Sequence, residues 1–443
     1  MSGFSKRDST VYMLERVYKK IKLFFPKAEI IFATTTPVIE ENSPSDWQRR
    51  NSDIEKYNDE AKKLMGKLGV KVNDLYSVAK QFDESYYADW THFNEKGARI
   101  LANEIIKNTE RNRLIMKAML VDENKNLVWS DVEKPSPKED EILIKIYAAA
   151  LNRADLLQRN GKYPSPVGWP DRMGLEVSGI IEDMGEKAKK ESGKKIGDKV
   201  CALLGGGYAE YVCAPYGMVI RMPEGLSFEE AAALPEAYTT CYLNLFYEGH
   251  LKEGQIAFIP AGASGLALVA IPMAKSFGAR VITSVLSDEI AEKIKGLGAD
   301  IIINSSKQSV AEVLKAEEEN GRPVNMAMDC LCGKELGESL PYMAEGGYWV
   351  IISTLAGTET DIKLRPILTK GLHIVGSMLR KRSSEEKAKL LTELTKKLWP
   401  KLESGEIKPS VYKVLPIEDA EAAHSILQNG ENVGKVVLSV CKG

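Results

Sequence analysis

The segment GQIAFIPAGASGLALVAIPMAKSFGARVITSVLSDE, residues 254–289, constrains this chain more than any other. IAFIP reads as a buried strand, because four apolar residues run without a polar break. AGASG is a turn of residues too small to block close backbone approach. LALVAIPMAKSFG reads as a helix apolar nearly all round, and ARVITSV as the next parallel strand. Together they form a βαβ unit with a glycine-poor version of the dinucleotide loop. The spacing brings Gly262, Ala263, Ser264, Gly265 and Leu266 against a pyrophosphate at the positive end of the helix. Ala267 takes the place of the third glycine, which normally allows close helix–strand packing. A purely structural βαβ unit is the alternative reading.

The end of the second strand reports on the cofactor. An NAD site places an acidic residue there for the ribose hydroxyls. This chain has Ser284, Val285, Leu286 and Ser287, with no acid before Asp288. Without that repulsion a 2′-phosphate is admissible, so NADP(H) is the expected cofactor. Lys293 is the candidate cation, or else a solvated surface lysine.

The remaining chain frames this unit. Its 443 residues allow two to four domains, and its net charge of −2 gives no polyanion-binding surface, so nucleic acid is not an expected partner. No apolar run approaches the ~18–20 residues of a membrane span, and MSGFSKRDST lacks the apolar core of a secretory signal. The cysteines, Cys201, Cys213, Cys241, Cys330, Cys332 and Cys441, follow no disulfide pattern. A cytoplasmic, reduced setting follows. Residues 1–113 alternate helix and strand: STVYMLERVYKKIKLF, AEIIFATTTPV, NSDIEKYNDEAKKLMGKLG, VKVNDLY and THFNEKGARILANEIIKN. Met116 opens a different texture of short alternating strands with a hairpin-like ENKN turn.

From about Met116 to Val440 the chain resembles the zinc-free medium-chain dehydrogenases/reductases, in their NADPH:quinone oxidoreductase branch. The resemblance is to the tumour-suppressor-inducible type. It is carried by AAALNRADLLQRNGKYPSPVGWPDRMGLEVSG, GDKVCALLGGGYAEYV, LPEAYTTCYLNLF, IVGSMLRKRS and NVGKVVL. The resemblance implies an α/β fold in which a GroES-like β-rich substrate domain (116–238 and 378–443) is interrupted by a doubly wound Rossmann domain (239–377), with the active site between them. Zinc enzymes of the superfamily supply cysteine where this chain has Asn152–Arg153 and histidine where it has Leu175, and no Cys₄ lobe is present, so no metal is expected. An electrophilic quinone or enone-like carbonyl needs chiefly proximity to the reductant.

The same motifs imply roles. Asn152 would donate from its amide to the nicotinamide or the acceptor oxygen, or else serve as a turn residue. Tyr163 would face the acceptor and hydrogen-bond a quinol oxygen, or else cover apolar surface. Trp169 is read as packing. Thr240, expected to begin a helix, would touch the cofactor or act as a cap. Ser284, Ser287, Ser305 and Ser377 complete the expected cofactor surface. The branch's small-Gly-Ser stretch and phosphate lysine read here as Val285-Leu286-Ser287 and Ile290. Its tyrosine reads as Ser305, and a glycine-rich turn has become STLAG, with Ser353 and Ala356. Homodimers are common among such relatives.

DWTHFNEKG, residues 89–97, resembles the last catalytic block of SGNH/GDSL esterases, with Asp89 and His92 as the orienting acid and the base. IIFATTTPV and NDLY resemble the second half of that fold. No GDS-type nucleophile block and no oxyanion blocks precede them, so a truncated, vestigial hydrolase-like segment is expected, with an unpaired sheet edge. Met116 itself resembles a natural start. Three functions remain open: a zinc-independent NADPH reductase of quinones or activated carbonyls, an ester hydrolase, and a cofactor-impaired non-catalytic relative.

Overall fold

The computed structural model describes residues 6–26, 28–44, 49–166 and 168–441; half of the MSGFSKRDST stretch, its first five residues, lies outside it. Contacts divide the chain into two compact units, Met1–Ile115 and Met116–Gly443.

In the first unit, helices Lys6–Phe24, Asn51–Lys67 and Glu95–Leu114 accompany two three-residue parallel strands, Ile31–Ala33 and Lys71–Asn73. Each strand has one partner among the described residues, which leaves the sheet edges unpaired as expected. VKVNDLY is strand only to Asn73. Asp74 accepts from the Ser77 amide and N-caps a short helix, Leu75–Ala79, which ends the strand. Likewise THFNEKG enters its helix only at Glu95, because Asn94 is the N-cap and accepts from the Gly97 amide.

The second unit contains two large sheets. Six strands, β1 (Ile256–Ile259), β2 (Arg280–Val285), β3 (Ile301–Asn304), β4 (Val324–Asp329), β5 (Met343–Ile351) and β6 (His373–Gly376), run parallel in the order β3-β2-β1-β4-β5-β6. This is the Rossmann order, whose chain reversal beside β1 opens a crevice at the strands' carboxyl ends. Helices on both faces bury it: Ala267, Val269, Ile271 and Met273 pack on one side, and Val310, Leu314 and Leu336 on the other. The second sheet is mostly antiparallel and includes Glu141–Ala150, Glu176–Met184, Lys199–Leu203 and Lys435–Ser439. Its own core contains Ile142, Ile144, Val177, Ile181, Val212 and Leu438. The fold is thus α/β, a GroES-like sheet plus a Rossmann sheet. The ENKN turn does join two strands, Ile115–Val121 and Leu127–Glu133, with Lys125 at φ 67°. Among the described residues no helix is long and apolar enough to cross a membrane.

Candidate active site

The MGLEVSG stretch is bent by its first glycine. Gly174 sits at φ 96°, and a Cβ there would lie 2.6 Å from the Tyr208 amide nitrogen, so only glycine fits. The bend places Leu175 in the wall of a small cavity and starts a strand at Glu176, whose carboxylate is wholly buried.

Three strand ends meet at that carboxylate. Asn152 follows the strand Glu141–Ala150 and caps the helix Arg153–Arg159; Lys435 begins the strand Lys435–Ser439. The Lys435 ammonium lies 2.6 Å from Glu176 Oε1, 2.7 Å from the Leu151 carbonyl and 2.8 Å from Asn152 Oδ1, so its three protons have three acceptors. Asn152 Nδ2 donates to Glu176 Oε1 at 3.0 Å and to the Ala150 carbonyl at 3.4 Å. The Glu236 amide donates to Glu176 Oε2 at 2.8 Å. Both Asn152 amide protons are thus committed within the protein, which leaves the side chain as a brace in this conformation. Asp155 supports the brace from beneath: it accepts from the amides of Asn152 and Gly174 and from the Tyr208 hydroxyl. Burial pushes its carboxyl up to about 6.

Beside this knot is a cavity of about 20 Å³, lined by Leu175, Glu236, Arg380, Lys387, Trp169 and their neighbours. Tyr163 stacks on Arg380, the guanidinium carbon 4.2 Å from the ring centroid. Burial, then the nearby Glu236, pushes the Tyr163 hydroxyl up to about 12, so it stays protonated and able to donate. Arg380 Nη2 donates to Gln158 Oε1 at 3.3 Å, while Nε and Nη1 are buried without a partner. Lys387, 4% exposed, donates to the Arg380 carbonyl at 3.0 Å and lies over the Trp169 ring. Burial lowers its pKa. The Glu236 carboxylate accepts no hydrogen bond among the described residues; burial, then the Glu176 charge, pushes it up to about 7. Trp169 is packing, as expected: a Cβ on Gly205 would meet its ring at 2.7 Å. Glu236, Arg380, Lys387 and Lys435 escaped the sequence reading, although all but Lys387 lie inside a quoted motif. What marks Glu236 and Arg380 is polar groups left without a hydrogen-bond partner among the described residues.

The nucleotide loop follows β1 and leads into the helix α1 (Ala267–Ser276). Gly262 is pinned, its amide donating to the Ser284 carbonyl at 2.8 Å, and a Cβ on it would lie 2.5 Å from Thr283 Oγ1. A Cβ on Gly265 would meet nothing within 4 Å. The Ala263 and Gly265 amides donate to no group among the described residues. Ser264 Oγ caps α1 by accepting from the Ala267 amide. Open space, two free donors and a helix N-terminus fit a pyrophosphate. Ser377 follows β6 with its Oγ buried and unpartnered, a fit for a ligand amide.

Thr240 needs correction as a helix start. Its helix is Pro235–Tyr242, opened by Pro235 at N1, and Thr240 lies near the other end with its carbonyl accepting from Asn244 Nδ2. Thr240 and Glu236 are four residues apart and so share one helical face. The next residue, Cys241, donates to the Leu266 carbonyl at 3.4 Å, fastening this helix to the nucleotide loop.

At the far rim, Leu286 is 75% exposed and does not pack into the fold. Ser284 is buried, Ser287 caps the helix Asp288–Ile294, and Ser305 Oγ donates to the Val285 carbonyl. Lys293 pairs with Glu289 on the surface. The cation beside the end of β2 is instead Lys307, paired with Asp288, which also accepts from Asn304 at 2.6 Å. Among the described residues no three His, Cys, Asp or Glu side chains gather where they could hold a metal ion; Cys330 and Cys332 are buried free thiols.

In the first unit, His92 Nδ1 lies 2.7 Å from Asp89 Oδ2. Amides of Thr91 and His92, with the His92 ring, hold the Asp89 carboxyl well below its ordinary range.

Comparison with known proteins places these features in a class. The zinc-binding dehydrogenase family model matches residues 265–396, and the alcohol dehydrogenase GroES-like domain matches 138–224. The pig quinone oxidoreductase is 30% identical over 313 residues, covering 70% of this chain and 92% of the relative; the human one is 28% identical over the same length. A mycobacterial quinone oxidoreductase structure superposes with a TM-score of 0.64 at 25% identity, covering 74% of this chain and all of the other. A mycobacterial structure complexed with NADPH gives 0.63 at 27%, covering 73% of this chain and all of the other. The fold is that of a medium-chain dehydrogenase/reductase. The chain belongs to the quinone oxidoreductase branch of that family, and it is an oxidoreductase.

Proposed function

We propose that this protein reduces quinones or similarly activated carbonyls with NADPH and without zinc. The observation that carries the reading is the Lys435 ammonium bound by Glu176, Asn152 and the Leu151 carbonyl, beside Leu175. An aliphatic side chain stands where zinc relatives supply histidine, and a fixed organic cation already satisfies the nearby oxygen donors. The bound cofactor would supply the hydride. The chain's own task is to cradle the pyrophosphate with the Ala263 and Gly265 amides, to receive the carboxamide beside Ser377, and to present the acceptor between Tyr163 and Leu175. Lys307 is the group suited to a 2′-phosphate. Release from Asp288 would free a charge-assisted contact worth about 1.5–3 kcal/mol.

The first unit is proposed to be hydrolytically inert. His92 has its acid, but the hydroxyl at its Nδ1 is Thr91 Oγ1, on the nitrogen already facing Asp89, and among the described residues no serine is hydrogen-bonded to the other nitrogen.

Three measurements test the reading. NADPH oxidation by a simple quinone should proceed undiminished in a chelator; loss of activity on chelation sinks zinc independence. NADPH should raise Tm more than NADH, and Lys307→Ala should narrow that gap about tenfold in affinity, the cost of ~1.4 kcal/mol. A chromogenic acetyl ester should not be turned over.

A further inference from the structure

Arg380 is partly buried, and two of its donor atoms are unmet among the described residues. Nε and Nη1 have no partner, whereas buried polar atoms are ordinarily satisfied. The guanidinium cannot escape by losing its proton. Tyr163 stacks on its face, and Gln158 holds Nη2, so its orientation is fixed. Glu236 lines the same cavity, and its carboxylate accepts no hydrogen bond among the described residues. At about 20 Å³ the cavity admits one oxygen or one water, not a ring.

We propose that Arg380 Nε–H and Nη1–H form an oxyanion hole for the acceptor's carbonyl oxygen, and that Glu236 is the catalytic acid that protonates it. The proposal rests on the reductase reading and deepens it. The two ends of the site are linked through the chain: Arg380 lies three residues after Ser377, and Glu236 shares a helical face with Thr240. The C–H bond of the reduced pyridine nucleotide breaks and its hydride forms the first O–H bond of the quinol at the acceptor's other oxygen, leaving the oxidised cofactor. One carbonyl oxygen becomes an oxyanion, held by two donors already in place. The Glu236 O–H bond breaks, its proton forms the second hydroxyl of the quinol, and solvent reprotonates the carboxylate. Glu236 is held at about 7, where an acid is partly protonated at neutral pH. The charged groups that act on it are Glu176, Lys435, Lys387 and Asp155, with Arg380 lining the same cavity and Tyr163 stacked on Arg380.

The test compares the full-length protein with Arg380→Gln, Arg380→Lys and Glu236→Gln, measuring 1,4-benzoquinone turnover from pH 5 to 9 and the Tm shift given by NADPH. Each variant should keep the NADPH shift. Arg380→Gln should lower kcat at least a hundredfold, and Arg380→Lys, which keeps charge but lacks the paired donors, should restore no more than a tenth of the loss. Wild-type kcat should fall as pH rises through about 7, and Glu236→Gln should be slow and flat. Wild-type rates in either Arg380 variant, or a pH profile unchanged in Glu236→Gln, overturn the proposal while leaving the reductase reading standing. A wild-type protein with neither turnover nor an NADPH shift overturns the reductase reading, and the proposal falls with it.

Discussion

Lys435 and Glu176 show how one buried pair can define a site. Glu176 is fully buried and Lys435 is 7% exposed, so neither charge has water to fall back on. Removing one partner of such a pair strands the other and costs about 3–5 kcal/mol. Lys435→Met should therefore lower stability by that amount in chemical denaturation, and adding Glu176→Gln should recover much of it. Additive losses would mean that the two side chains do not compensate one another. Glu236 contributes in the opposite sense. Its pKa is raised on folding from 4.5 to about 7, so the folded state holds its proton more tightly than the unfolded state does. Stability from this group is greatest below pH 4.5 and declines as pH rises to about 7, beyond which the cost is constant. Glu236→Gln should accordingly stabilise the protein at pH 8, by on the order of 1–3 kcal/mol, and have no effect at pH 4. A pH-independent gain would point to packing instead.

At the scale of elements, the nucleotide loop separates folding from binding. Gly262 touches Thr283 and Ile294, whereas Gly265 faces open space. Gly262→Ala should destabilise the protein by ~1–3 kcal/mol, the usual cost of overpacking. Gly265→Ala should leave the Tm of the free protein unchanged and weaken NADPH at least tenfold; equal effects of the two changes would contradict this division of labour. The loop was legible in the sequence because a strand, a small-residue turn and an apolar helix each declare themselves over a few adjacent residues. The GroES-like sheet was legible through its motifs. Thr240 was misplaced because Pro235 opens the helix earlier, and VKVNDLY was misread because the Asp74 cap outweighs the strand pattern. The Asn152 amide is taken up by Lys435, Glu176 and Ala150, partners as far as 283 positions away, and no local pattern could announce them. Lys307 was overlooked for the same reason: β2 and β3 must lie side by side before Asp288 and Lys307 meet.

For the whole molecule, the division at Ile115–Met116 sets where function resides. Every residue assigned to the cofactor or the acceptor, from Asn152 to Lys435, belongs to the second unit, whose two sheets have their own buried cores. Among its described residues the first unit has small clusters, around Met65, Tyr76 and Leu101, and a two-stranded sheet, and two strands make a marginal fold. Its stability should be the lower of the two, so heating should give two transitions, and NADPH should move only the upper one because ligand linkage stabilises only the unit that binds. A chain beginning at Met116 should retain the upper transition, the NADPH shift and the quinone turnover of the full protein within about twofold, well inside the ~1.4 kcal/mol of a tenfold change. His92→Ala should change none of these. A single transition in the full chain, displaced as a whole by NADPH, would mean that the first unit is energetically part of the enzyme, and loss of turnover on its removal would assign it a role that its exposed Asp89–His92 pair does not explain.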